Sequence, residues 1–349
     1  MNLLQQTLEK IAGLDQEITA MARERVDNLI KPAKSLGKLE HLAVQLAGIT
    51  RNLKPDFNQK AVIVMAGDHG VYVEGVTNNP QEVTAAQTLN FAKGLTGVCV
   101  IGQVSGAKVV PVDIGINVEM PADAGIILRK VKNGTDNMAI GPAMTREEAI
   151  KAIEVGIDIA NEQIEKGVNL LGTGEMGIGN TTPSTAILSV LLHCDPLGIT
   201  GRGAGLGKGG IEHKAEVIRR AIHLNQPNPD DVIDILAKVG GLEIGGMAGV
   251  MLGAAANRIP VVIDGFISTI AAIIAVGLEP KAKDYMIASH ASQEPGAKRA
   301  SEFLGIEPML LMDMCLGEGS GAALAFPIID AACSMLKNMP TFAEAGMEI

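Results

Sequence analysis

Residues 61–70 read AVIVMAGDHG: six apolar residues that stop at a glycine and an aspartate. A run this short, apolar at every position, has the pattern of a strand buried on both faces, because a strand with one wet face alternates. The same signature returns at KVVPVDIG (108–115), VNLLGTGE (168–175), IPVVIDG (259–265), DYMIAS (284–289) and MLLMD (309–313), with helical stretches between. Such strands alternating with helices predict an α/β fold: a doubly wound, mostly parallel sheet with helices on both faces. At 145–165 the spacing of Thr145 and Glu148 is that of a capping box, which predicts a helix start.

Upstream of that first strand no strand signal appears. Leu3, Leu4, Leu8 and Ile11 share one helical face, a turn follows at Lys31-Pro32, and a second amphipathic stretch runs from Leu39 to Ile49. At the other end Ala322–Lys337 is apolar and helical, and is expected to pack back on these helices. The expected division is a large α/β domain at 58–325 and a small helical domain built from both chain termini, 1–57 with 326–349.

Composition limits the function classes. Lys plus Arg is 29 against 39 Asp plus Glu, a net charge of −10, and this repels a nucleic-acid backbone. Aromatic residues are 2% of the chain, too few for base-stacking platforms. The longest apolar stretch, Phe266 to Leu278, falls short of the ~18 residues a membrane span needs. The N-terminus lacks the basic and apolar regions of a secretory signal. Cys99, Cys194, Cys315 and Cys333 are far apart, match no metal spacing and read as small buried hydrophobes. A cytoplasmic protein without metal, cofactor, membrane or nucleic-acid partner is expected.

In an open parallel sheet, ligands bind beyond the carboxyl ends of the strands. There this chain collects AGDHG (66–70), GEMGIGNTT (174–182), IDGF (263–266), SHASQEPG (289–296) and LGEGSGAA (316–323). Glu175, Gly177, Gly179, Asn180, Thr181 and Thr182 precede an apolar helix, an arrangement that suits an anion site and equally suits an ordinary capped turn. GRGAGLGKGG (201–210), with Gly203 and Gly205, departs from a dinucleotide fingerprint because no acidic partner stands at the next strand end. It reads as a glycine-rich connector or as a loop closing over phosphate with Arg202, Lys208 or Lys214. Glu318, framed by glycines before a small-residue helix, has the setting of a general base with a raised pKa or of a helix-terminal acid. Asp68-His69 and His290 are either acid–base or metal groups, or turn residues satisfied by backbone; His41, His193, His213 and His223 show no ligand spacing.

Taken in order, KPAKSLGKLE, AGDHGV, NPQEVT, GEMGIGNTT, GRGAG, GGLEIGGMAG, VIDGFISTIAA, SHASQEPG, LGEGSGAALA and TFAEAG resemble the nicotinate-nucleotide:dimethylbenzimidazole phosphoribosyltransferase family over nearly the whole chain. The resemblance implies transfer of the phosphoribosyl group of nicotinate mononucleotide to an aromatic base in cobalamin biosynthesis, with release of nicotinate and inversion from β to α. It implies Glu318 as general base and Glu175 as a second active-site acid. Phosphate and ribose are expected at Gly177, Gly179, Asn180, Thr181, Gly203, Lys214, Asp264 and Ser292, and the acceptor base at Pro80, Thr84, Ala86, Gln87, Cys315 and Leu316. Family members are dimers.

Departures from the family pattern fall at Ala291, Ala297 and Cys315, where relatives often carry Arg or His, and in the shifted glutamine of Val83-Thr84-Ala85-Ala86-Gln87-Thr88. They leave an alternative open: a subunit of a heteromeric relative that uses phenol or p-cresol acceptors, non-catalytic alone. A nicotinamide-dinucleotide dehydrogenase rests on the 41 glycines alone.

Overall fold

In the computed structural model, which describes residues 2–203, 205–207 and 209–347, every residue of β1 (Lys60–Gly67) is buried. The strand lies inside a six-stranded parallel sheet with β2 (Lys108–Gly115), β3 (Ile127–Leu128), β4 (Leu170–Met176), β5 (Val261–Ile263) and β6 (Met286–Ala288), in the order β3-β2-β1-β4-β5-β6. The chain winds outward from β1 to one edge, then returns to its other side at β4 and winds to the opposite edge. The carboxyl ends of β1 and β4, in register at Ala66 and Met176, therefore mark the switch point at which a crevice opens.

The side-chain period of two divides β1 between two cores. Ala61, Ile63 and Met65 face one and Val62 and Val64 the other, so both faces must be covered. In chain order the helices are α1 (Leu3–Lys10), α2 (Gln16–Asp27), α3 (Lys38–Thr50), α4 (Val83–Ala92), α5 (Gly97–Val104), α6 (Arg146–Glu165) and α7 (Thr181–Leu191). They continue with α8 (Gly210–Asn225), α9 (Val232–Val239), α10 (Leu242–Ala256), α11 (Phe266–Leu278), α12 (Ala297–Leu304) and α13 (Ser320–Asn338). The first core is closed by α6, α10 and α11, the second by α3, α5 and α13. The capping box at the start of α6 is present, with Thr145 Oγ1 accepting from the Glu148 amide at 3.1 Å and the Glu148 carboxylate from the Thr145 amide at 2.8 Å.

Two expectations are corrected. MLLMD is not a strand: a single parallel bridge joins Leu310 to His290, after which Leu311 and Met312 turn out to solvent and Asp313 takes a left-handed φ of +53°. Two of its apolar residues face solvent, so the pattern of a buried strand misleads there. Cys315 is exposed and Cys194 half-buried, while Cys99 and Cys333 are buried as expected, the Cys333 thiol pushed up to about 12 by burial.

The termini meet. Ile30 N–H donates to Pro340 O at 3.0 Å and Phe342 N–H to Asn28 O at 2.9 Å, while α2 and α3 pack on α13. The first helix, α1, lies instead against α6 and α10. α13 is continuous from Ser320, so the boundary expected at 325/326 falls inside a helix. α13 is the one described helix long and apolar enough to cross a membrane, and its apolar side fills the second core.

Candidate active site

The crevice beyond β1 and β4 is a cavity of about 380 Å³ whose walls come from loops after four strands and from α4. Its geometry is set first by backbone. Gly317, Glu318 and Gly319 follow one another in the left-handed region, with φ of +81°, +64° and +87°. For a glutamate such a φ costs on the order of 1 kcal/mol or more, and it persists because the surroundings leave no other course. A Cβ on Gly174 would lie 2.4 Å from Glu318 O, and one on Gly317 2.3 Å from Glu175 Oε1. The two glutamates are thus brought together by main chain that tolerates no side chains at the crossing.

Glu318 is 7% exposed. Gln87 Nε2, from α4, donates to its Oε1 at 2.6 Å, and Oε2 has no hydrogen-bond partner among the described residues. Burial raises its pKa, against the Gln87 hydrogen bond and with the nearby Asp264 charge. Glu175, equally buried, accepts the Glu318 amide on Oε1 at 3.3 Å and the Asn180 side-chain amide on Oε2. Burial pushes it up to about 7, opposed by Asn180 and reinforced by Asp264 and Glu243. Two buried carboxyls in one cleft, both raised above the ordinary range, are an acid–base arrangement.

Asp264 lines the cleft, yet its oxygens are occupied: Oδ2 accepts from the Gly319 amide at 3.1 Å and Oδ1 from Gly321 and Ala322 at 2.7 and 3.3 Å. It holds the start of α13, and with it the Glu318 turn, in place. His290 is buried beside it, Nδ1 lying 3.1 Å from Ser289 Oγ and 3.9 Å from Asp264 Oδ1.

At one end the cleft continues into a cavity of about 50 Å³ lined by Gly177, Gly179, Asn180, Thr181, Arg202, Gly203 and Lys214, at the N-terminus of α7. Gly179 has a φ of +89°, the backbone state for which glycine is suited. Lys214, buried on α8, donates from Nζ to Thr181 Oγ1 at 2.6 Å. Burial pushes its amine down to about 8, opposed by the Glu294 carboxylate. Helix-terminal amides, hydroxyls and an amine in so small a space are the donor set that suits an anion. Ser292 and Glu294 line the main cleft; Lys208 lies outside the described residues.

On the other side Gln87, Cys315 and Leu316 line the cleft, joined by Asn79 and Val83, which sequence reasoning missed. Pro80 and Ala86 are exposed and do not line it. Thr84 is fully buried, its Oγ1 accepting from the Ile178 amide at 3.1 Å, so it braces the anion loop from behind. The phase of α4 accounts for these corrections: Val83 and Gln87 share the stripe toward the cleft, and Thr84 and Thr88 the stripe toward the core. Asp68 is a turn residue, its Oδ2 accepting from the Asn117 amide at 2.8 Å, and gathers no metal site with His69 among the described residues.

The family model described as "Phosphoribosyltransferase" matches residues 11–347. The chain is 66% identical, over its full length and that of the relative, to nicotinate-nucleotide–dimethylbenzimidazole phosphoribosyltransferase of Alkaliphilus metalliredigens (strain QYMF). The chain belongs to the nicotinate-nucleotide–dimethylbenzimidazole phosphoribosyltransferase family. It is also 56% identical to the enzyme of that name from Clostridioides difficile (strain 630), over 99% of each chain. The crystal structure of CobT from Thermus thermophilus superposes with a TM-score of 0.91 at 41% identity, covering 95% of this chain and 99% of that one.

Within a phosphoribosyltransferase cleft the Gln87 contact has a measurable consequence. Its N–H favours the charged form of Glu318, so Gln87→Ala raises the pKa of that carboxyl further. The acidic limb of the pH–rate profile that reports Glu318 should move to higher pH, by about one to two units for a hydrogen bond to a charged group. An unchanged limb would show that the hydrogen bond does not tune the base.

Proposed function

We propose that this chain transfers the phosphoribosyl group of nicotinate mononucleotide to 5,6-dimethylbenzimidazole or a related base, in cobalamin biosynthesis. The observation that carries this reading is Glu318, a buried carboxyl with raised pKa and one unpartnered oxygen, lining the same cleft as the glycine-framed anion site. In this reading the phosphate sits on the loop of Gly177, Gly179, Asn180 and Thr181, with Gly203, Lys214 and Ser292 as further donors. Glu318 takes the N–H proton of the acceptor as its nitrogen bonds to C1′ of the ribose. The bond from C1′ to the pyridine nitrogen breaks, and its electron pair neutralises the pyridinium, so nicotinate leaves without needing a proton. Attack from the opposite face inverts β to α. The Glu175 carboxylate and its neighbours supply negative charge beside a cationic, oxocarbenium-like ribose.

Incubation with nicotinate mononucleotide and a panel of benzimidazoles, adenine and phenols, with products identified by mass, tests this reading. A ribotide of dimethylbenzimidazole formed by the chain alone supports it; no ribotide with any benzimidazole rejects it. The full-length relatives carry the benzimidazole name and lend no support to the phenol alternative. A homodimer in the cytoplasm, with a helical unit assembled from the two termini, completes the reading.

The depressed amine of Lys214 gives a pH dependence. Phosphate binds the ammonium form, and Lys214 loses its proton near 8 in the empty site. The KM for nicotinate mononucleotide should therefore rise above about pH 8, tending to about tenfold per unit. Lys214→Met should raise KM at neutral pH and flatten that rise. A KM that rises as steeply in the variant assigns it to another group.

A further inference from the structure

Beneath the anion loop lie two ionisable side chains that the transfer does not touch. His69 follows β1 and Glu243 stands in the first turn of α10; both are fully buried, with Nε2 and Oε1 3.2 Å apart. The two side chains face each other as a hydrogen-bonded ion pair, and among the described residues no other side chain shares their contact. Bare backbone walls it in. A Cβ on Gly241 would lie 2.6 Å from Glu243 Oε2 and 2.7 Å from His69 Cε1, and one on Gly177 3.0 Å from His69 Nε2. Gly177 also lines the cleft, so one strand of main chain separates the imidazole from bound substrate.

The charge balance explains why a histidine is there. Asp68, Asp113, Glu175, Glu243, Asp264 and Glu318 are six buried carboxyls around the strand ends, and Asp113 faces Lys130 at 3.6 Å. Lys214 faces Glu294, and His290 Nδ1 lies 3.9 Å from Asp264 Oδ1. His69 is the cation left for the others: Glu243 from α10, Asp68 from the end of β1 and Glu175 from β4 all face it. Glu175 in turn faces Asp264 from β5, Glu243 from α10, the Asn180 side chain before α7 and the Glu318 amide before α13. Burial favours the neutral imidazole, but the three carboxylates outweigh it and raise His69 above its ordinary pKa.

We propose that His69 and Glu243 form a positioning pair for the transfer: Glu243 favours the protonated ring of His69, and this imidazolium, under Gly177, eases the ionisation of Glu175. The inference rests on the active-site reading of Glu175. His69→Gln removes the cation and leaves Glu243 uncompensated, so Glu175 binds its proton more tightly.

The test joins two measurements on the full chain: NMR titration of the histidine rings, with His69 assigned by its loss in His69→Gln, and the pH profile of kcat/KM. The expected result is a His69 that stays protonated above its ordinary range and titrates lower in Glu243→Gln. The acidic limb should rise by about one pH unit, a tenfold loss of turnover at fixed acid pH, in His69→Gln. It should return toward the parent value in His69→Gln/Glu243→Gln, where both charges are gone. A merely structural role would lower kcat/KM without moving the limb, and an unmoved limb in folded His69→Gln overturns the proposal. If that variant does not fold, assignment comes from Glu243→Gln, and a His69 that loses its proton at the same pH with and without the Glu243 charge overturns it. Full turnover by Glu318→Gln would instead sink the active-site reading and leave the His69 titration unaffected.

Discussion

Glu318→Gln is expected to lower turnover by about 10²–10⁴-fold, the scale of a lost general base, while leaving the fold intact. The substitution keeps the length and shape of the side chain, and its carbonyl oxygen still accepts from Gln87, so the packing around the turn is unchanged. The backbone there is fixed by Gly317 and Gly319 and by the amides on Asp264, contacts that the substitution leaves in place. What is lost is the ability to take a proton. Nicotinate release followed by absorbance or chromatography, alongside circular dichroism and a thermal melt, separates chemistry from folding. Parent-level turnover in a folded variant would reject Glu318 as the base.

Gly156→Ala should destabilise the protein by about 3 kcal/mol, the upper end of ordinary overpacking. The intrinsic preference runs the other way, since alanine in a helix interior is favoured over glycine by up to about 1 kcal/mol. Distance decides the sign. The added carbon on α6 would lie 1.9 Å from the carbonyl oxygen of Gly246 on α10 and 2.8 Å from the Val250 nitrogen, and backbone cannot rotate aside. The reverse contact, Gly249 against Ile153 O, is also 1.9 Å, so the helices touch through glycine from both sides. Because Glu243 stands at the start of α10, prying the helices apart also disturbs the floor of the cleft. Gly141→Ala, with no atom within 4 Å of its added carbon, is the control and should melt near the parent temperature. A Gly156→Ala variant as stable as that control would show that the seam has slack.

Much of this molecule is written locally. AVIVMAGD, KVVPVDIG, VNLLGTGE, IPVVIDG and DYMIAS became β1, β2, β4, β5 and β6, because a strand covered on both faces must be apolar throughout. Glu175 and Glu318 were legible because glycines flank them, at the end of β4 and just before α13, and those glycines prove to be where main chains cross too closely for a Cβ. MLLMD failed because an apolar run does not by itself ensure burial: Leu311 and Met312 stand exposed to solvent. Thr84 and Ala86 failed for want of phase, since nothing within the α4 segment tells which stripe meets the cleft and which meets the core.

The order of apolar strands and of glycine-framed acids was enough to determine the class of fold, the end of the sheet at which the cleft opens, and the family. Only the folded chain decided that Asp264 is taken up by the amides of α13, that Lys214 stands behind Thr181, and that His69 finds Glu243. Local pattern is set by a residue's own neighbours, through backbone preference and periodic burial. The partner of a buried charge is chosen by which elements the winding of the sheet brings together, and the desolvation that gives such a group its chemistry exists only once they have closed around it.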